Sequence, residues 1–416
     1  MKIAIVGAGI IGVATAWELA CDGHEVSVFE RRGATAEEAS FANAGVVAPG
    51  YVTPWAAPGM RTKVLRSLLS THGAIKVRWP LSMRDVGWMR QWQRACRLET
   101  YLANRARMQR LAFYSRTRLH EISAARELAY ERSDGYLVLL RSRREQKLVQ
   151  AGLEVLRTAG TVFREVDADE ARRIEPALNH DTRLAGAIHL PDDEVANCRQ
   201  FALLLKREAE ALGARFHFNC DIAPLARAAP RSLMLASGSE AVPFDAVVMC
   251  AGVASAALLR PLGLRLPLAP VYGHSITATL REPLNAPRSA VMDERYKVAI
   301  SRLGQRVRVA GSAEIGGMPD TLHPAALQTL YKVLHDWFPG AIALDAGVQK
   351  WKGARPMLPD GPPVIGPSGV PGVWLNLGHG SSGWALSCGS ARVLADLVGG
   401  HDAGIDLEGL GLDRLL

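Results

Sequence analysis

Apolar residues come in two patterns along this chain. Ile3 to Val6 is an unbroken apolar run, which suits a strand covered on both faces. It leads straight into Gly7, Gly9 and Gly12. Val13 to Cys21 has helical composition and stops at Asp22-Gly23, and a second apolar strand, Val26 to Phe29, ends on Glu30. Helical periodicity then predominates from about Leu81 to Leu128. Gly135–Leu140 reads as a strand, Arg143–Ala159 as a helix, Asn197–Leu212 as a helix closed by Gly213, and Arg215–Asn219 as a strand. Asp245–Gly252 is a buried strand ending in small residues. From 268 to 312 the pattern changes to short strands and turns, as at Leu280–Pro283 and Leu303–Gln305, which predicts antiparallel pairing. Ala325–Trp337 is helical. The chain then returns to a strand at Val373–Leu377, a glycine-rich turn at Gly378–Gly383 and a helix at Trp384–Val398.

These elements predict an α/β protein with a discontinuous Rossmann-like nucleotide domain drawn from 1–80, 195–265 and 350–416. A second, α+β domain with a mixed or antiparallel sheet is expected from 81–194 and 266–349. The cleft between the two is the expected ligand site. A length of 416 residues suits two domains, and 48% hydrophobic residues suffice for their cores.

The N-terminal strand–glycine–helix–strand unit carries a specific chemistry. Gly7 permits the tight turn, Gly9 lets a pyrophosphate approach the backbone, and Gly12 lets the helix pack against the strand. The first-turn N–H groups at Ile10 and Ile11 and the positive end of the helix dipole face the phosphates. Glu30 is placed to accept from ribose hydroxyls. The pattern predicts an adenine dinucleotide, and which dinucleotide is open at this point.

Charge and cysteines add less. Net charge is +8, with 14 Lys or Arg between Arg61 and Arg118 against Asp85 and Glu99. Trp79, Trp88 and Trp92 lie among them. Such a segment suits an anionic membrane surface or nucleic acid. The plainer expectation is a solvated helical face with its aromatics in the core. Cys21, Cys96, Cys198, Cys220, Cys250 and Cys388 show no metal-ligand spacing and read as reduced thiols of a cytoplasmic protein. The glycines interrupt the N-terminal apolar run, so it does not read as a secretion signal, and no apolar stretch is long enough to span a bilayer.

Several stretches resemble the D-amino acid dehydrogenase small-subunit family, within the FAD-dependent amine and amino-acid oxidoreductases that include glycine oxidase and D-amino acid oxidase. They are Ser40–Gly45 with Pro49-Gly50-Tyr51 and Pro54–Gly59, then Pro270–Ser275, Asp293–Ile300, Gly353–Gly361 and Gly378–Trp384. Two departures stand out. Val46 replaces a frequent Gln, which bears on the substrate, and Cys250-Ala251-Gly252 replaces a usual Ala-Thr-Gly.

The resemblance implies FAD, held non-covalently, since no cysteine lies between Tyr296 and Gly372. Beyond the first glycines, the expected cofactor contacts are Arg31, Ser40, Asn43, Ala44, Gly45, Val46, Ile222 and Gly252. At the C-terminal turn they are Gly378, His379, Gly380, Ser381, Ser382 and Gly383. A helix N-terminus there would favour negative charge on the reduced flavin. No metal is expected.

The reaction implied is oxidative deamination of a D-amino acid, by hydride transfer from Cα to flavin N5, to a 2-oxo acid and ammonia. It needs a fixed carboxylate anchor, and an arginine fork suits one. Arg355 is the leading candidate, against a structural pairing with Asp360. Tyr296 is the second, and Tyr272 and His274, two apart on one strand, are further pocket candidates. The expected partners are a small D-amino or cyclic imino acid and a quinone or carrier, with peripheral contact at the inner face of the cell membrane and no nucleic acid. The alternatives are a D-hydroxyproline or D-proline dehydrogenase, a glycine- or sarcosine-type oxidase, or a non-catalytic dinucleotide sensor.

Overall fold

The computed structural model describes residues 1–60, 62, 64, 72–78, 81–238, 240–345 and 347–415. One sheet has six strands, in the order Val364–Pro367, Val373–Leu377, Ala246–Met249, Lys2–Val6, Glu25–Phe29, Arg215–His217. All neighbours are parallel except the first pair. Its strands come from the beginning, middle and end of the chain, as the pattern predicts.

The unbroken apolar run of the first strand now has a cause. Ile3 and Ile5 join a core with the helices Ile10–Cys21, Cys198–Ala211 and Gly383–Gly399, while Ala4 and Val6 join a second core on the other face. Alternate residues are buried in different places, so no polar alternation shows.

The other sheet has ten strands and is mixed. Its main path runs Val348–Met357, Ala269–Thr279, Arg306–Ile315, Val298–Leu303, Ala290–Asp293, Ser133–Leu140, Gly186–Val195, Val46–Val47. Ile75–Val77 and Arg164–Val166 pair with it at the side. The helix Pro324–Trp337 covers one face through Leu330, Val333 and Trp337 against Ile276, Ile300 and Val309.

Two differences from the expected organisation matter for the site. The strand Val348–Met357 crosses the boundary expected at 349/350 and pairs antiparallel with Ala269–Thr279, setting Arg355 opposite Val271 in the larger sheet. Val46–Val47 and Ile75–Val77, from the N-terminal stretch, also belong to that sheet.

From Met83 onward the basic stretch forms two helices, Met83–Ala95 and Leu98–Ala125. Trp88 and Trp92 are buried against Trp55, with ring centroids 6.0 and 5.4 Å apart, and Trp88 Nε1 donates to the Met357 carbonyl at 3.1 Å. Those two aromatics serve packing, and Trp79 lies outside the described residues. No helix among the described residues is long and apolar enough to cross a membrane.

Candidate functional site

A cavity of about 450 Å³ runs between the two sheets, from the N-terminal glycines to Arg355. At its nucleotide end the three glycines differ physically. Gly7 has φ +105°, and a Cβ there would lie 2.6 Å from the Cys250 carbonyl oxygen. A Cβ at Gly12 would overlap the Gly7 carbonyl. The fold itself therefore requires both to be glycine. Gly9 is otherwise: its backbone is extended, and a Cβ would meet only Ser40 Oγ, at 3.5 Å. Its missing side chain leaves space in the cavity, which is what a bound pyrophosphate needs.

Ser40 Oγ accepts from the Ile10 N–H at 3.1 Å, so its hydroxyl hydrogen remains to donate at the helix N-terminus. Ile10, Ile11, Arg31, Ile222 and Gly252 line the same end. Glu30 is placed between lining residues Phe29 and Arg31, yet its carboxylate accepts the backbone N–H groups of Ala8 and Arg32, each at 2.8 Å. It braces the glycine turn and keeps further lone pairs for a ribose.

The loop Asn43–Val46 lines the middle of the cavity. Its carbonyls face the protein: Asn43 O accepts from Arg308 Nη1 at 3.0 Å, Ala44 O from Ser301 Oγ at 2.7 Å, and Gly45 O from Trp384 Nε1 at 3.2 Å. Gly45 has φ +77°, and a Cβ would lie 2.7 Å from the Ala196 carbonyl oxygen. Gly378, His379, Gly380, Ser381, Ser382 and Gly383 line the wall beside it, where the helix Gly383–Gly399 begins. His379 Nε2 bonds to Ser390 Oγ at 3.0 Å, and burial pushes its imidazole down to about 3, so it is neutral.

At the far end stands Arg355. Its guanidinium lies over Gly273 and donates from Nη1 to the Ser312 carbonyl at 2.9 Å. Desolvation lowers it to about 10, which leaves it charged at neutral pH. The pairing with Asp360 does not form, since Asp360 takes Arg414 at 2.9 Å. Among the described residues Arg355 has no carboxylate partner. A charged guanidinium facing a cavity without a counter-ion is chemically suited to take an anion.

The remaining candidates divide. His274 lines the cavity, but both ring nitrogens are engaged: Nδ1 with Ser312 Oγ at 3.0 Å, Nε2 with the His323 N–H at 3.2 Å. Burial first, then Lys352 and His323, holds it near 3. Tyr272 is not brought to the cavity. The register shift beside it falls on the partner strand Arg306–Ile315, and its ring packs 4.5 Å from Lys352 Nζ, outside the cavity lining. Tyr296 is also elsewhere, in a turn with its ring near Arg141 and Lys332.

Sequence reasoning missed Arg308, Ser301 and Ser312, which hold the loop and the anchor from behind. It also left Tyr51, Lys297 and Trp351 of the lining without a role. Tyr51 donates to Glu294 Oε2 at 2.6 Å, and Lys297 pairs with the same carboxylate. A strand arginine such as Arg308 looks solvent-facing in a sequence, and no spacing marks it otherwise. No cluster of metal-ligating side chains occurs among the described residues.

Comparison with known proteins identifies relatives along the whole chain. A D-amino acid dehydrogenase of Rhizobium johnstonii is 42% identical over 416 residues, covering all of both chains. One of Cereibacter sphaeroides is 43% identical, covering all of this chain and 95% of that one. Among solved structures, glycine oxidase from Geobacillus kaustophilus superposes with a TM-score of 0.76 at 21% identity, over 99% of this chain and 98% of that one. Iminodiacetate oxidase from Chelativorans sp. BNC1 gives 0.73 at 24%, over 99% and 98%. Residues 2–397 match the family described as DAO, FAD dependent oxidoreductase. The match over residues 2–397 and the full-length relatives at 42% and 43% identity place the chain in the FAD dependent oxidoreductase family.

Proposed function

We propose that this oxidoreductase deaminates D-amino acids to 2-oxo acids and ammonia, and delivers the electrons to a quinone or carrier rather than to oxygen. The observation that carries the reading is Arg355, an unneutralised guanidinium in the same cavity as the FAD site. The full-length relatives, D-amino acid dehydrogenases at 42% and 43% identity, support the D-amino acid class.

Arg355 binds the substrate carboxylate through its fork and fixes the α-carbon's distance and orientation. Bound FAD, held without a covalent link, supplies the two-electron acceptor for the α-hydride. The amine gives up a proton and the resulting imino acid is hydrolysed by water. His274 and His379 are neutral near pH 7, and both have structural hydrogen bonds, so neither is the proton carrier. The substrate reacts as its free amine, with the proton lost to solvent. Tyr51, Tyr136 and Met292 line the cavity and keep water away from the reacting carbon.

Four exposed arginines, Arg84, Arg90, Arg94 and Arg97, with Met83 and Leu98 exposed beside them, support contact with the anionic inner face of the cell membrane. The decisive experiment is anaerobic bleaching of the bound flavin by paired D- and L-amino acids, glycine, sarcosine and D-hydroxyproline. Bleaching by acyclic D-amino acids alone supports the reading. Bleaching confined to glycine or to cyclic imino acids replaces it. Rapid oxygen consumption would remove the quinone acceptor, and failure to sediment with anionic vesicles would remove the membrane contact.

A further inference from the structure

We propose that Arg308 sets the reduction potential of the flavin, as a fixed positive charge held directly behind the cavity-lining loop Asn43–Gly45. Arg308 is 4% exposed. Its Nε donates to Thr277 Oγ1 and its Nη1 to the Asn43 carbonyl, each at 3.0 Å. Both acceptors are neutral. The nearby carboxylate, Glu131, is held by Arg306 Nη2 at 2.8 and 3.0 Å, and among the described residues Arg308 forms no ion pair of its own. Burying a charge without a counter-ion is costly, and such groups are normally paired. Desolvation lowers this guanidinium only to about 10, so the charge is present at neutral pH.

Its location says what the charge acts on. Arg308 lies two residues from Ala310, on the same face of the sheet, and Ala310 and Gly311 line the cavity. Gly311 is opposite His274, next to the Gly273 on which Arg355 rests. One layer of backbone, the Asn43–Gly45 loop, therefore separates Arg308 from the middle of the cavity. That layer is polarised too. In a trans peptide the N–H points opposite the carbonyl. With Asn43 O turned to Arg308, the Ala44 N–H points away from Arg308, toward the cavity that Ala44 lines. Gly45 N–H is taken by Asn43 Oδ1 at 3.0 Å, which leaves Ala44 N–H as the donor. Charge and oriented amide have the same sign, and both favour a ligand that gains negative charge. The oxidised ring is neutral and the two-electron-reduced ring is anionic, so the reduced form is stabilised.

This inference rests on the family's cofactor and not on the identity of the substrate. The test is the ratio of reduced to oxidised flavin in the holoenzyme at a fixed poise of a reference dye. Arg308→Gln keeps a donor for Asn43 without the charge. The ratio should fall about tenfold, which for two electrons is about 30 mV. Arg308→Lys should stay within about twofold of the parent. Should the Gln variant fail to fold, Arg306→Gln gives the same test with Arg308 in place, because it removes the cation that neutralises Glu131, still held beside Arg308 by Asn197 Nδ2 at 2.7 Å, and the ratio should again fall. Sulfite, which adds to flavin and leaves the ring anionic, should bind more weakly in the same variants. Unchanged ratios in Arg308→Gln and Arg306→Gln would overturn the proposal. So would an equal fall in Ser301→Ala, which loosens the loop without removing charge.

Discussion

The guanidinium of Arg355 occupies the space that a side chain at residue 273 would need. A Cβ on Gly273 would lie 2.6 Å from Arg355 Cζ and 2.8 Å from Nη1. The two strands pair with Gly273 opposite Gly353, so the glycine is the shelf on which the anchor rests. Gly273→Ala should therefore fold and retain FAD, because the clash falls on the end of a flexible side chain. It should raise KM at least tenfold as the fork is displaced, with a smaller effect on kcat. Arg355→Met should raise KM more. Steady-state kinetics with flavin content measured in parallel checks both. An unchanged KM in Arg355→Met would remove the anchor role.

Glu18 joins three helices. Its side chain is fully buried on the helix Ile10–Cys21. It accepts from Arg118 Nε and Nη2 at 2.7 and 2.9 Å, and from Arg392 Nη1 at 2.9 Å. Those arginines belong to Leu98–Ala125 and Gly383–Gly399. Glu18→Ala leaves two half-buried cations short of a partner, and should cost about 3–5 kcal/mol. Arg118 keeps Glu121, and Arg392 keeps Asp22 and Asp396, which favours the lower figure. Denaturant unfolding of the flavin-free protein measures it without interference from cofactor release.

Stability should depend on pH through two opposing pairs of buried groups. His274 and His379 are pushed from 6.5 to about 3, mainly by burial. Below pH 6.5 the unfolded chain binds protons that the folded one refuses, so their contribution is present above 6.5 and lost as pH falls toward 3. Glu175 and Asp193 are raised by burial from 4.5 and 3.8 to about 7. The folded state holds those protons longer, so their contribution is present at low pH and lost as pH rises from about 4 to 7. His379→Gln should flatten the acid limb, and Glu175→Gln should flatten the loss on the neutral side. Urea unfolding between pH 4.5 and 7.5 tests both signs, and parallel curves for parent and variants would refute the assignment.

The sequence shows most clearly the parts whose chemistry is local. The first strand, its glycines and Glu30 follow each other within 30 residues, and each step has its own signature. Val348–Met357 is harder to see as a strand. It carries Lys352 and Arg355, whose partners Glu314 and Ser312 lie on another strand. Gly186–Val195 is hidden in the same way, because Asp192, Asp193 and Glu194 look like a loop until Arg116, Arg132 and His120 are brought to them. Tyr272 is held against Lys352, a partner 80 residues away that no local spacing reveals. Tyr296 precedes Lys297, whose φ of +51° turns the chain at a non-glycine residue.

Gly9 and Gly12 separate what the fold requires from what the cofactor requires. A Cβ at Gly12 would overlap the Gly7 carbonyl, so Gly12→Ala should pry the first helix from the first strand and unfold the domain with or without FAD. At Gly9 the backbone is extended and the added carbon would meet only Ser40 Oγ, at 3.5 Å. Gly9→Ala should therefore leave the flavin-free protein as stable as the parent, within about 1 kcal/mol. It should weaken FAD binding at least a hundredfold, because the methyl group takes the place of a phosphate. Thermal melts with and without added FAD distinguish the two variants. The parent's melting temperature should rise with FAD concentration, as ligand linkage demands. That of Gly9→Ala should not move over the same range. A flavin-dependent rise equal to the parent's would mean that the pyrophosphate lies elsewhere.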